Sequence, residues 1–155
     1  MVGLLYQFPT WMQRLYRGVT WRRVTHDKRV FLTFDDGPIP EVTPAILDVL
    51  AKYEVKATFF VVGDNIHKYP HVYARVIKER HRVGNHTCHH VKGSKLSLDE
   101  YMREVDACEQ LLEQGSTRLF RPPYGKMKPS QKRAVLERGY EIILRSEERR
   151  VGKEC

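Results

Sequence analysis

From residue 30 to residue 144, short apolar runs alternate with segments whose apolar positions recur at helical spacing. Residues 30–33 are β-branched and aromatic and lead into Asp-Asp-Gly-Pro, the pattern of a strand feeding a loop. Thr43 can cap a helix with Pro44 at its first position, and Ile46, Val49, Leu50 and Tyr53 then fall on one stripe. Residues 57–62 form a continuous apolar run of strand length closed by Gly63, which suits a strand buried on both faces, as in parallel sheets. Residues 72–79 predict a second short helix and residues 82–85 a third strand. Residues 97–113 predict a longer helix with Tyr101, Met102, Val105, Cys108 and Leu112 facing one way. Ser97 followed by Glu100 makes a capping box at its start. Leu119 and Phe120 predict a fourth strand, residues 130–138 a helix and residues 140–144 a fifth strand.

Strand and helix alternating in this way argue an α/β chain with a parallel sheet or barrel. In that architecture reactive groups collect where strands end and loops begin. Three polar stretches fall at such points: Asp35-Asp36, residues 86–90, and residues 121–124. No internal repeat or interdomain linker interrupts the pattern.

The length of 155 residues suits one domain, which at this size buries roughly 68–70% of its unfolded surface. A composition of 41% hydrophobic and 30% charged residues, with 10 Gly and 8 Pro, excludes collagen-like, disordered and disulfide-scaffold classes. No apolar run reaches the 18 or so residues of a membrane helix. Residues 1–15 lack a basic start and a small-residue cleavage site, and Gln7, Pro9 and Gln13 interrupt their apolar stretch, so no secretory signal is expected. Residues 1–28 read as a peripheral segment carrying Trp11 and Trp21, with cytoplasmic and cell-envelope locations both left open. The final string, RSEERRVGKEC at 145–155, breaks the texture of the chain. It matches an in-frame translation of a sequencing-library adapter and is expected to be a non-native tail. Setting aside its four basic and three acidic side chains lowers the net charge from +8 to +7. The basic residues are scattered without interleaved aromatics, so a solvated surface is expected and no nucleic-acid partner. Cys88, Cys108 and Cys155 are odd in number, lack metal-type pairing and read as ordinary thiols.

Asp35 and Asp36 are adjacent at a strand end, where neighbouring side chains point different ways, so one carboxylate can bind a cation while the other serves as a base. The same four residues are also an ordinary turn sequence. His86 and His90 are four apart, and on a helical turn both imidazoles would face one side and could grip one metal. In Arg121-Pro122-Pro123-Tyr124-Gly125 two prolines stiffen the loop and remove two amide donors. The Tyr124 N–H then becomes available to a developing oxyanion, and Arg121 can orient a carboxylate. A purely structural loop with Arg121 at the surface is the competing reading.

Taken together, Leu32-Thr33-Phe34-Asp35-Asp36-Gly37-Pro38, His86-Thr87-Cys88-His89-His90 and Arg121-Pro122-Pro123-Tyr124 resemble, in order, the first three motifs of the polysaccharide deacetylase family with its NodB-type homology domain. Residues 57–63 resemble its second strand. The resemblance implies a partial distorted (β/α) barrel over residues 29–144 and metal-dependent removal of acetyl groups from an N-acetylated glycan. It implies that Asp36, His86 and His90 hold a divalent metal, usually zinc, that Asp35 is the general base, that Arg121 positions Asp35, and that Tyr124 offers its backbone amide to the oxyanion. His89 is expected to be a neighbour of the site, and His67, His71 and His81 are assigned no role.

The family's fourth and fifth motifs, a segment supporting the arginine and a later Leu-x-x-His supplying the general acid, are expected beyond Leu144, and no histidine follows His90. The chain thus reads as the front part of a gene, expected to be weakly stable and largely inactive alone. Competing readings are a carbohydrate-binding protein using the same cleft without turnover, a nucleic-acid binder driven by charge, and another C–N amide hydrolase on the same fold. Peptidoglycan, chitin-like oligomers, other N-acetylated glycans and O-acetylated xylan all remain open as substrates, as does the oligomeric state.

Overall fold

Phe59, Phe60 and Val61 are at most 2% exposed, as expected of a strand covered on both faces. They belong to β3 (Thr58–Val61), flanked by β2 (Thr33–Gly37) and β4 (Arg82–Asn85). The computed structural model describes residues 18–20, 29–113 and 116–144; the expected tail at 145–155 and most of the expected peripheral segment lie outside them. Beyond β4 the sheet continues through β5 (Leu119–Phe120) and β6 (Glu141–Ile143) to β1 (Val19–Thr20), giving the order β1-β6-β5-β4-β3-β2 with every pair parallel. From β2 to β6 each strand lies beside its predecessor in sequence, without the reversal of a doubly wound sheet. This is the winding of a barrel wall. Among the described residues the wall is not closed, and β1 and β2 are its two edges.

Among the described residues five helices return the chain between strands: α1 (Thr43–Lys52), α2 (Gly63–Lys68), α3 (Pro70–Lys78), α4 (Leu98–Leu111) and α5 (Pro129–Glu137). One core cluster joins Leu47, Leu50, Phe59, Val61, Tyr73, Val76 and Val83; a second joins Tyr101, Met102, Val105, Phe120, Val135, Tyr140 and Ile142. The Ser97–Glu100 capping box is present, and Tyr101, Met102, Val105 and Cys108 are the buried face of α4.

Five local expectations are revised. The first strand starts at Thr33, and Val30, Phe31 and Leu32 precede it exposed, because β2 is a sheet edge. In α1 the buried face is Thr43, Leu47 and Leu50, while Val49 and Tyr53 are exposed. The Thr43 hydroxyl accepts from the Ile39 N–H at 2.9 Å, so it closes the preceding turn, and α1 has no side-chain cap. Helix α2 was not anticipated, and Val19–Thr20, within the expected peripheral segment, adds a strand to β6.

Gly84 shows how tightly the wall is built. A Cβ there would lie 2.8 Å from the Phe60 ring and 2.9 Å from the Leu119 carbonyl oxygen. Gly84→Ala is therefore expected to lower the unfolding free energy by about 1–3 kcal/mol. Denaturant titration checks this, and an unchanged midpoint would contradict it.

Candidate active site

The pairing of β2 with β3 matches Asp35 to Phe60 and then Gly37 to Val61, leaving Asp36 as the extra residue of a bulge with φ +66°. The bulge turns adjacent carboxylates into different surroundings. The Asp35 side chain is 5% exposed and the Asp36 side chain 56%. Asn65, at the start of α2, donates from Nδ2 to the Asp36 carbonyl at 2.7 Å and ties the bulge in place.

His86 and His90 do converge, but on no helical turn. The chain leaves β4 through an irregular loop with left-handed backbone at Thr87 (φ +65°) and His90 (φ +51°). Such a conformation costs a non-glycine residue of order 1 kcal/mol or more, so the surroundings must impose it. Asn85 supplies part of that: buried, it donates to the Val105 carbonyl and the Tyr140 hydroxyl and accepts from the Thr87 N–H at 2.9 Å. The Thr87 hydroxyl accepts from the Val91 N–H.

The Asp36 Oδ1 lies 3.3 Å from His86 Nε2 and 3.1 Å from His90 Nε2, and the three ligand-type atoms all fall within 4.8 Å of one another. His86 Nδ1 sits 2.6 Å from the Arg121 carbonyl oxygen. A carbonyl only accepts, so Nδ1 carries the proton and the lone pair of a neutral imidazole is left on Nε2, facing a carboxylate oxygen. Two acceptors opposed at that distance suit a cation between them. Burial also pushes the His90 pKa down, against the pull of Asp36, favouring the neutral form that ligates metal. Two imidazole nitrogens and one carboxylate oxygen fit a divalent metal of the zinc type.

Arg121 joins the two halves of the site. Its guanidinium donates from one terminal nitrogen to Asp35 Oδ1 at 2.6 Å and to the Thr33 hydroxyl at 3.0 Å, and from Nε to the Ile143 carbonyl at 3.3 Å. It lies 4.0 Å from the centre of the Phe60 ring. Arg121 is 4% exposed, so the surface-loop reading is set aside. Tyr124 follows in a single turn, Pro123–Gly125, with φ +58°. Its ring, 62% exposed, tilts against His90 with centroids 4.8 Å apart, a contact not expected from sequence. The clamping roles of Asn65 and Asn85 were also missed, since a lone asparagine carries no pattern that separates a clamp from a turn residue.

Asp36 and His90, with Ile39, Val62, Asp64, Asn65 and His89, line an open cleft of about 310 Å³. A depression of about 420 Å³ near Lys56, Lys78 and Arg80 lies at the other ends of the strands, away from these groups. There His81 accepts from the Ala57 N–H at 3.2 Å, and burial lowers its pKa.

The chain is similar to several known proteins. The chain is 40% identical over 117 residues to a peptidoglycan-N-acetylglucosamine deacetylase of Bacillus cereus, covering 74% of this chain and 42% of that one. It is 42% identical over 103 residues to the peptidoglycan-N-acetylmuramic acid deacetylase PdaC of Bacillus subtilis, covering 64% of this chain and 22% of that one. A crystal structure of a peptidoglycan N-acetylglucosamine deacetylase superposes with a TM-score of 0.80 at 34% identity, over 86% of this chain and 63% of the other. The chain thus spans less than two thirds of the length of these relatives. The polysaccharide deacetylase family profile matches residues 22–143, most of the chain and all three polar stretches. On fold and on sequence, the chain belongs to the polysaccharide deacetylase family.

Proposed function

We propose that residues 29–144 are the metal- and base-bearing part of a deacetylase domain that removes acetyl groups from N-acetylated glycan, with peptidoglycan amino sugars as the substrate class. Residues 145–155 are a non-native tail in this reading. What carries it is the convergence of Asp36, His86 and His90 beside an Asp35 clamped by Arg121. The three converging residues would hold a divalent metal and, as three protein ligands, leave a position open. When bound, such an ion supplies Lewis-acid polarisation of the acetamide carbonyl and acidifies a water at that open position.

Asp35 takes the proton of the attacking water, and the C–N bond breaks once the departing amine nitrogen has taken up a proton. Arg121 keeps that carboxylate aimed through a short hydrogen bond while Thr33 and the Ile143 carbonyl hold the guanidinium itself. The Tyr124 main-chain N–H donates to the oxygen that becomes negative, and the Tyr124 ring walls the His90 side of the cleft. Arg121 also sets the His86 tautomer through its carbonyl, so one residue orients both the base and a ligand.

Zinc titration of the chain is expected to show one site, lost in His86→Ala and in His90→Ala. Acetate release from N-acetylated peptidoglycan fragments by the full-length gene product is expected to stop on chelation and return when zinc is restored. A wild-type chain that binds no zinc, or acetate release indifferent to chelator, contradicts the proposal.

A further inference from the structure

The loop at residues 86–90 bears two of the three candidate ligands, yet it has no hydrogen-bond ladder of its own. The carbonyls of Thr87 and Cys88 accept from the Gly63 and Asp64 N–H groups, at 3.1 and 2.8 Å. Its central amides both go to a single residue of α4. The Cys88 N–H donates to the Glu104 main-chain carbonyl at 3.0 Å, and the His89 N–H donates to Glu104 Oε2 at 2.8 Å. The other oxygen of that carboxylate lies 3.0 Å from His89 Nδ1. Glu104 is well placed to hold something still, because the turns of α4 on either side bury Tyr101, Met102, Val105 and Cys108.

We propose that Glu104 is a positioning residue for the metal centre: by holding the His89 amide, its carboxylate imposes the left-handed backbone at His90 and so aims His90 Nε2. The inference rests on reading Asp36, His86 and His90 as metal ligands. His86 does not depend on Glu104, since its amide is held by the Val61 carbonyl and its Nδ1 by the Arg121 carbonyl. His90 differs. Its side chain is 30% exposed and meets Asp36, the Tyr124 ring and the His86 ring, so its direction comes mainly from the backbone beneath it. The His89 imidazole is 61% exposed, which makes its amide the working contact of the clamp.

Zinc affinity of the 155-residue chain, read by competition with a chromophoric chelator, tests this without reference to turnover. Glu104→Ala is expected to weaken binding about 10- to 100-fold and to change the visible absorption of the Co²⁺-loaded chain, which reports ligand geometry. Glu104→Gln still presents an oxygen to the His89 N–H and is expected to stay within about 3-fold of wild type. His89→Ala leaves the amide in place and is expected to bind as wild type. If Glu104→Ala does not fold by circular dichroism, Glu104→Asp carries the test: its shorter carboxylate cannot reach the amide and is expected to lose affinity likewise. Wild-type affinity in the folded Ala or Asp variant, or a loss in His89→Ala as large as that in Glu104→Ala, overturns the inference. A wild-type chain that binds no zinc overturns the metal-site reading beneath it.

Discussion

Arg121→Ala is expected to cost about 3–5 kcal/mol of stability, the usual penalty for removing one member of a buried ion pair. Both side chains of the Arg121–Asp35 pair are 5% exposed, so water cannot replace the lost cation. The truncation also strands the Thr33 hydroxyl and the Ile143 carbonyl and opens the space over the Phe60 ring. Arg121→Lys should recover only part of the loss, since one ammonium cannot span three acceptors on two strands and also lie flat on an aromatic face. Chemical denaturation of the two variants beside the wild type measures this, and an alanine variant within about 1 kcal/mol of wild type would show the pair to be worth little.

Asp35→Asn separates an enzyme from a binding protein built on the same cleft. Removal of a general base typically costs 10²–10⁴ in rate, and acetate release by the full-length gene product is expected to fall by about that much. Zinc affinity should change little, because Asp35 is not one of the three converging ligand residues and its carboxylate bonds Arg121. Binding of N-acetylglucosamine oligomers should likewise persist. The amide can still accept from Arg121, so the fold is expected to tolerate this change better than loss of the arginine. Acetate release at the wild-type rate would remove Asp35 from the mechanism, and loss of zinc binding in step with activity would place it among the ligands.

The candidate site residues were legible in the sequence, and their arrangement was less so. Arg82–Asn85, Leu119–Phe120 and the capped start of α4 were anticipated because each rests on local signals, a β-branched or apolar run or a Ser-x-x-Glu pair. The bulge at Asp36 is a relation between two strands, and no property of Asp-Asp-Gly-Pro alone announces it. The histidine spacing suggested a helical turn, whereas the chain reaches the same convergence through two left-handed residues, Thr87 and His90, the first of them held by Asn85. In α1 the sequence carries two apolar stripes at helical period. Contact with β3 and α3 selects the one through Leu47 and Leu50 and leaves Val49 and Tyr53 outside. Strand β1 is only Val19–Thr20, and it lacks the paired large apolar residues that marked Leu119–Phe120.

The winding of the wall has a consequence for how the chain reaches its native state. From β2 to β6 spatial order repeats the order of synthesis, so each new strand can dock on a neighbour already in place as it leaves the ribosome. Strand β1 is the exception. Among the described strands it is made first and its partner β6 last, and the Thr20 hydroxyl that bonds Glu141 must find it across 121 residues. Closing so long a loop is entropically dear and is repaid by only two paired residues, so the amino-terminal strand is the natural last addition to an otherwise assembled sheet.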